Sequence, residues 1–530
     1  MEHFKMKNQM NKSFFLAIII LLSIPGYGQV SPTKYDTFYF NLFQSPYSTE
    51  GIKHTNINST REDLKDLKHL NFIDLSTNVI DTSNLLMLTN LETLEIEPHH
   101  SDCGNKIYVQ NLNLLGALLP KFSNLQYIEI DCPTASFLYG MSQCTNLEKV
   151  YIKRPDTSIQ YKGWKGLKFL TYYGSAEFFD IKYMHDLDTL VLEPIENKLL
   201  KDFASEIAAN TNLTTFFWEG MVSMDALKLI SRNNLKSLFL SITGGWKPPL
   251  TINCKLLYFN SLETLCIDNR NASFRPVYVK NIHRLKNLKE VIFSRITLDS
   301  KMRKSKSIQS VELFIPISKF VKSNDSLMPI KNMSPKILPS HLSYLGVNFV
   351  AVADFETGYN DKMEKRSEFS LDFLKNVKEI DHFSISNFTE KHPIYQILLV
   401  QDERFQKLPN INTLRIEGNI DFEHFDEIVA QKKFAQLHLT DHLLQTHLDA
   451  LCKSAGIDSL FITRSNFGEQ GRYYNDKGEK IPLITYYYYK GNKQCIQQLS
   501  ECLPHTEIIP EDLDIDLEDV EKPIYKKKND

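Results

Sequence analysis

Short apolar phrases recur along this chain at a spacing that one compact core does not explain. TNLETLEI (89–96), SNLQYIEI (123–130), TNLEKVYI (145–152) and NSLETLCI (260–267) all follow the pattern L-x-x-L-x-L, with L a leucine-like residue. The last two apolar positions are two residues apart, so on a strand they face one way and the residues flanking them face the other. Taking the first apolar residue of each phrase as an anchor gives Leu70, Leu91, Leu125, Leu147, Leu167, Leu187, Leu213 and Leu235. The series continues through Leu262, Leu288, Ile308, Leu342, Ile380, Ile411, Phe434 and Ile457. The sixteen anchors are separated by 20 to 38 residues. The four longest gaps, after Leu91, Ile308, Leu342 and Ile380, are either insertions or repeats too degenerate to recognise. One such strand cannot bury its apolar face alone, whereas a stack of them makes a continuous core. The pattern therefore predicts an α/β solenoid, with a parallel sheet on the concave face and short helices or irregular coils on the convex one.

Residues 70–80, LNFIDLSTNVI, place Asn78 and Ile80 in the turn after the strand. On this phrase and its recurrences the chain resembles a divergent bacterial leucine-rich-repeat protein from about Leu64 to Leu503. The resemblance implies a horseshoe in which the turn asparagine hydrogen-bonds the neighbouring coil, and a protein partner. Few other phrases keep that asparagine, Asn419 being one. What recurs instead is an asparagine just before the first leucine, at Asn90, Asn124, Asn146, Asn212, Asn234 and Asn287.

The ends read differently from the middle. Residues 1–28 have a basic start (Lys5, Lys7, Lys12), an apolar run from Ser13 to Ile24 and small residues at Gly26 and Gly28, as a cleaved secretory signal does. A membrane anchor is the competing reading, but the run falls short of the ~20 residues needed to span a bilayer. No cysteine precedes Cys103 to accept a lipid, so the expected location is secreted, cell-surface or periplasmic, with no stable membrane insertion of the mature chain. Residues 29–69 should form an N-terminal cap, with a strand at Thr37–Phe43 and a capping box at Ser59–Glu62. The repeats should occupy 70–465. A hairpin around Asp476–Gly478 and a cap helix from Lys493 to Leu503 should occupy 466–509. Residues 510–530 read as a disordered charged tail.

If the anchors point inward, the alternate residues line the concave face. Thr93, Glu95, Glu129, Lys149, Thr171 and Val191 fall there, and so do six aromatics: Tyr127, Tyr151, Phe169, Tyr173, Phe217 and Phe239. An apolar stripe rimmed by charge is the signature of a protein-binding surface, and these six are the candidate partner-contacting residues. Two blander readings compete. The aromatics could be cross-strand packing pairs, or a one-residue slip could turn them into the core. Later positions on the same face, Glu312, His382, Arg415, Glu417, Gln436 and His438, are more polar.

Charge and cysteine content narrow the picture. The chain has 61 basic and 64 acidic side chains, net −3, and the signal alone is +2, so the remainder is near −5. That balance does not favour nucleic acid, which calls for a concentrated basic face. Eight cysteines in 530 residues do not read as a disulfide scaffold. Cys144 stands where Leu88 stands in its own repeat and reads as core. Cys132 could reach it only if the intervening turn folds back, and Cys266 reads as an exposed thiol on the open face. His438, Asp441, His442 and His447 are the one cluster to weigh as metal ligands, and they read as surface residues because nothing in their spacing makes them converge. The sequence has no nucleophile elbow, phosphate loop or zinc motif, so no cofactor or metal is expected. The leading expectation is a non-enzymatic protein-binding repeat protein. A glycan-binding surface protein is the alternative, and a hydrolase with a divergent site in 308–411 is the third.

Overall fold

The computed structural model describes residues 65–511 except 66, 73–74, 76–78, 81, 97–102, 155–163, 175–180, 195–199, 244–248, 271–275, 318–336, 352–364, 388–394, 401–408, 418–419, 423–428, 431, 441–448 and 464–498. The signal, the N-terminal cap strand and capping box, Asn78, Asn419, the hairpin and residues 512–530 lie outside the described residues.

The anchors decide the architecture. All sixteen are buried, none exposing more than 6 % of its surface. The two apolar positions that follow the later anchors enter or pack against the same core, as Leu94 and Ile96 or Ile128 and Ile130 do. The first anchor is displaced by three residues: Leu70 pairs with Leu94, so Leu67 stands where the anchor of the first strand belongs. The phrases become strands of one 17-stranded sheet running from His69–Phe72 to Glu507–Glu511. Its strands pair in parallel, coil to coil, as in Tyr127↔Lys149, Lys149↔Phe169 and Phe169↔Thr189. This is a leucine-rich-repeat solenoid, with a core continuous from Leu70 to Ile508.

The four long gaps prove to be insertions. Thr93 pairs directly with Tyr127, Ser310 with Tyr344, His341 with Glu379 and Glu379 with Asn410, so no repeat is hidden between them. The first insertion carries the helix Lys106–Leu118. The last two carry the strands Lys365–Ser370 and Tyr395–Val400, which join Ile420–Phe422 in a separate parallel sheet. A third small sheet, Leu250–Asn253, Val277–Lys280 and Thr297–Leu298, forms the outer wall of the middle coils. Farther toward the N-terminus that wall is helical.

Local chemistry explains the helices. Asn105, Thr134 and Ser223 each accept a bond from a first-turn amide through their side chains, capping Lys106–Leu118, Ala135–Ser142 and Met224–Ile230. Tyr108, Leu112 and Leu115 then fall on one buried face of the first helix. A Cβ on Gly140 would lie 1.9 Å from the carbonyl oxygen of Gly116, so the first two helices can approach this closely only without a side chain there.

The asparagines before the leucines tie coil to coil. Asn90, Asn124, Asn146, Asn212 and Asn287 donate to the carbonyls of Lys65, Thr89, Ser123, His185 and Asn260 in the preceding coil. Two buried asparagines do the same from inside, Asn210 to Met184 and Asn233 to Ile207. They satisfy carbonyls that a coil cannot pair by itself.

The cysteine reading needs correction. Cys103 bonds Cys132, and Cys452 bonds Cys502, so the solenoid has two inter-coil disulfides among its described residues. Cys132 has a partner other than Cys144, which is core as expected. The C-terminal reading needs another. Residues 499–502 are helical, but the strand Glu507–Glu511 then adds to the sheet beside Ile457–Thr463 and takes up Pro510 and Glu511. His505 stands where the anchor of that strand belongs, which hid it from the pattern.

Candidate functional site

The pleat sorts the concave side chains into three columns running along the stack. The middle column reads Glu129, Tyr151, Thr171, Val191, Phe217, Phe239, Cys266, Ile292 and Glu312. One flank begins Tyr127, Lys149, Phe169, Thr189. The other contains Asp131, Lys153, Tyr173 and Glu193, and farther along Glu219, Ser241 and Asp268.

The six predicted aromatics all lie on this face, in different columns and at different depths. Tyr127 and Phe169 are in the first flank, Tyr173 is in the other, and Tyr151, Phe217 and Phe239 are in the middle. Tyr151, Phe169 and Tyr173 are partly exposed. Tyr127 keeps only 8 % of its surface, Phe217 2 % and Phe239 1 %. The expectation of one exposed stripe is therefore corrected. Val191, Phe217, Phe239, Cys266 and Ile292 form a second apolar cluster, distinct from the main core, with Phe169 and Phe314 packed against it. Strands about 4.8 Å apart bring successive rings into contact, so each covers its neighbours between the two flanks. Cys266 belongs to this floor at 4 % exposure and is not an exposed thiol.

Ion pairs edge the floor. Glu129 accepts from the Tyr127 hydroxyl at 2.9 Å and from Lys153 Nζ at 2.7 Å, and that ammonium also sits 4.8 Å from the centre of the Tyr151 ring. Arg154, at φ 45°, grips both oxygens of Asp131. Arg270 donates to Glu219 Oε1 at 3.0 Å and to Asp268 Oδ2 at 3.4 Å, spanning the row of Ser241. Burial, with Glu129 beside it, holds the Tyr127 hydroxyl protonated far above its ordinary range. Burial does the same to Tyr151, reinforced by Glu193 and Glu129.

Glu193 stands apart. It is 5 % exposed, and its Oε1 is buried without a hydrogen-bond partner. Burial, followed by repulsion from Glu219, pushes its pKa up to about 8, against the opposing pull of Arg270 and Lys153. Glu219 is raised as well, by burial and by Asp268, while Arg270 opposes the shift. The sequence reading passed over Glu193, Glu219, Asp268 and Arg270. Three of them lie two residues beyond the middle column, a position the repeat period already marks as concave.

The C-terminal half of the face combines stacked rings with paired polar side chains. His382 stacks on Tyr344 with centroids 5.5 Å apart, and His438 on Phe461 at 4.0 Å and 3°. Gly346 leaves the room for this, since a Cβ there would meet the Tyr344 hydroxyl at 2.8 Å. Arg415 pairs with Glu417 and Asn348 donates to Glu312 at 2.7 Å. His438 is 5 % exposed, so it is not the surface residue expected. Burial, Arg415 and His382 together push its pKa down to about 4. Asp441, His442 and His447 lie outside the described residues. One group of ligand-type atoms converges among the described residues, at Cys103, Asp131 and Cys132, but its sulfurs are joined to each other and its carboxylate is held by Arg154.

No helix among the described residues is long and apolar enough to cross a membrane. No family model and no curated protein matches the chain. Among solved structures 58 chains match. An internalin of Listeria monocytogenes is 13 % identical over 78 % of this chain and 90 % of its own, with a TM-score of 0.30. A chain of the LRIM1/APL1C complex is 13 % identical over 74 % of this chain and 62 % of its own, with a TM-score of 0.28. A chain of the Drosophila Toll–Spatzle complex is 11 % identical over 75 % of this chain and 56 % of its own, with a TM-score of 0.34. This chain therefore spans less than two thirds of the latter two. At such distances the leucine-rich-repeat architecture rests on the chain's own evidence, seventeen parallel strands laid over a buried apolar core.

Proposed function

We propose that this chain is an exported, non-enzymatic interaction protein that holds another protein against the N-terminal half of its concave sheet. The observation that carries the reading is the pairing of partly exposed Tyr151, Phe169 and Tyr173 with a rigid apolar floor that fixes their neighbours. Aromatic side chains held in place beside charged groups lose little entropy on binding and dominate interface energetics. Exposed Lys149 and the Glu129–Lys153 pair supply a polar rim. Phe217 and Phe239 serve as support, and Tyr127 fixes Glu129. Two disulfides favour an oxidising compartment and so support the leader-like residues 1–28 as an export signal.

The test is capture of a protein partner from extracellular extract by wild type, by a Tyr151→Ala, Phe169→Ala variant and by Lys149→Glu, each with its fold checked by circular dichroism. Lys149 is exposed, so its reversal leaves packing alone. The reading predicts one partner, identified by mass spectrometry, held by wild type and lost by both variants. Equal capture by all three chains would contradict it. Displacement by free glycans, with protein competitors inert, would favour a carbohydrate ligand.

A further inference from the structure

Glu193 and Glu219 are adjacent carboxyls on one flank of the concave face, in neighbouring strands that pair through Leu192↔Trp218. Every other acid nearby on that flank has a resident cation. Asp131 has Arg154, and Arg270 holds Asp268 and Oε1 of Glu219, while in the middle column Glu129 has Lys153. Glu193 forms no ion pair among the described residues, and its buried Oε1 has no hydrogen-bond partner. A second observation comes from Ser241, which lies between Glu219 and Asp268 in the register, 2 % exposed, with a buried Oγ that lacks a partner. A buried carboxyl normally finds a donor or a counter-charge, and its absence on a ligand-facing surface marks a group waiting for one.

We infer that Glu193 and Glu219 form a subsite for an arginine side chain of the partner, its guanidinium bridging the two carboxyls beside the ring of Tyr173. The inference rests on the concave-face reading above. The chemistry has a template within the molecule, because Arg270 already bridges Glu219 and Asp268 across one row. A planar five-donor fork suits two neighbouring carboxyls better than a point-charge ammonium does. Tyr173 pairs with Glu193 in the register and is partly exposed, which sets an aromatic face next to the incoming plane. An arriving cation would also draw the proton off Glu193, whose pKa of about 8 keeps the carboxyl mostly neutral at pH 7.

The experiment titrates the full chain with blocked Gly-Arg-Gly by calorimetry at pH 7, in two buffers of different ionisation enthalpy. Glu193→Gln mimics the neutral carboxyl and should melt no lower than wild type at this pH, because it escapes the loss of stability that ionisation of Glu193 in the unfolded chain brings. The expected result is binding in the millimolar range with release of close to one proton per peptide. Glu193→Gln should weaken that binding at least tenfold and abolish the proton release. Gly-citrulline-Gly should not bind, and Gly-Lys-Gly should bind several-fold more weakly. Binding by Glu193→Gln equal to wild type, or no binding by wild type at ~10 mM, overturns the subsite, and so does lysine binding as tightly as arginine. If Lys149→Glu loses the captured partner while Glu193→Gln binds the peptide fully, the subsite fails and the concave-face reading stands. If Glu193→Gln loses the peptide but wild type holds no protein on its concave face, the subsite stands and that reading fails.

Discussion

The two halves of the concave sheet are built to one backbone plan and filled with opposite chemistry. From Val191 to Ile292 the middle column is apolar and closed, a second small core on the face opposite the first. From Glu312 to His438 the same column holds a glutamate, a glycine, a serine, an arginine and a histidine. Regular strand pairing runs through both, so the sheet's continuity comes from the inward anchors and does not depend on what the concave column contains. The difference teaches that in a solenoid the concave column is free to specialise. In the first half it makes a stiff floor under aromatic and charged side chains, and in the second it carries polar and charged groups, ending at His438 stacked on Phe461.

The largest expected effect breaks the floor. Phe217→Ala should cost about 3–5 kcal/mol, as truncation of a closed aromatic does, whereas an exposed ring would cost far less. Thermal melts decide between them, and a shift equivalent to less than about 1 kcal/mol would show that the floor is not a core. Next in size are the two disulfides, one in each half, which span 29 and 50 residues. On the chain-entropy account each contributes about 3–4 kcal/mol, Cys452–Cys502 slightly more for its longer loop. Melting Cys103→Ser and Cys452→Ser beside wild type, under oxidising conditions, measures both.

The halves should also respond to pH in opposite senses. Glu193 has a folded pKa of about 8, above its unfolded value, so its contribution is present at low pH and is lost as pH rises from about 4.5 to 8. His438 has a folded pKa of about 4, below its unfolded value, so its contribution is present above pH 6.5 and is lost as pH falls toward 4. Each group can tilt stability by at most about 1.4 kcal/mol per pH unit within its window. Denaturant midpoints from pH 4 to 9 should show Glu193→Gln flattening the alkaline loss and His438→Gln flattening the acid loss. The smallest stability effect belongs to Tyr151→Ala, about 1 kcal/mol or less if its main role is contact with a partner.

How much of this the sequence disclosed follows from which forces are local. Fifteen of the sixteen anchors were legible because strand alternation and coil period are short-range; the first was read three residues late, since Leu70 is buried but pairs with Leu94. The concave positions of Tyr151 and Phe217 were legible for the same reason. Their depth was not, because burial of Phe217 depends on Val191 and Phe239 one coil away on either side, and a strand read singly does not contain them. The Glu219–Arg270 pair spans 51 residues, and Cys103 meets Cys132 only once an insertion has folded back, so neither spacing matches the repeat. The coil-tying asparagines were visible as a recurrence, but their acceptors became clear only in the stacked coils.

The most direct measurement of the central claim places a photo-crosslinking phenylalanine analogue at position 151 in one chain and at position 436 in another. Both positions face the concave side, one in each half, and the two chains are exposed to the same extracellular extract. The account predicts that position 151 captures a protein, identified by mass spectrometry as the one pulled down by wild type, and that position 436 does not. Capture of that protein at 436 with none at 151 would contradict it, and would move the binding face to the histidine-lined half.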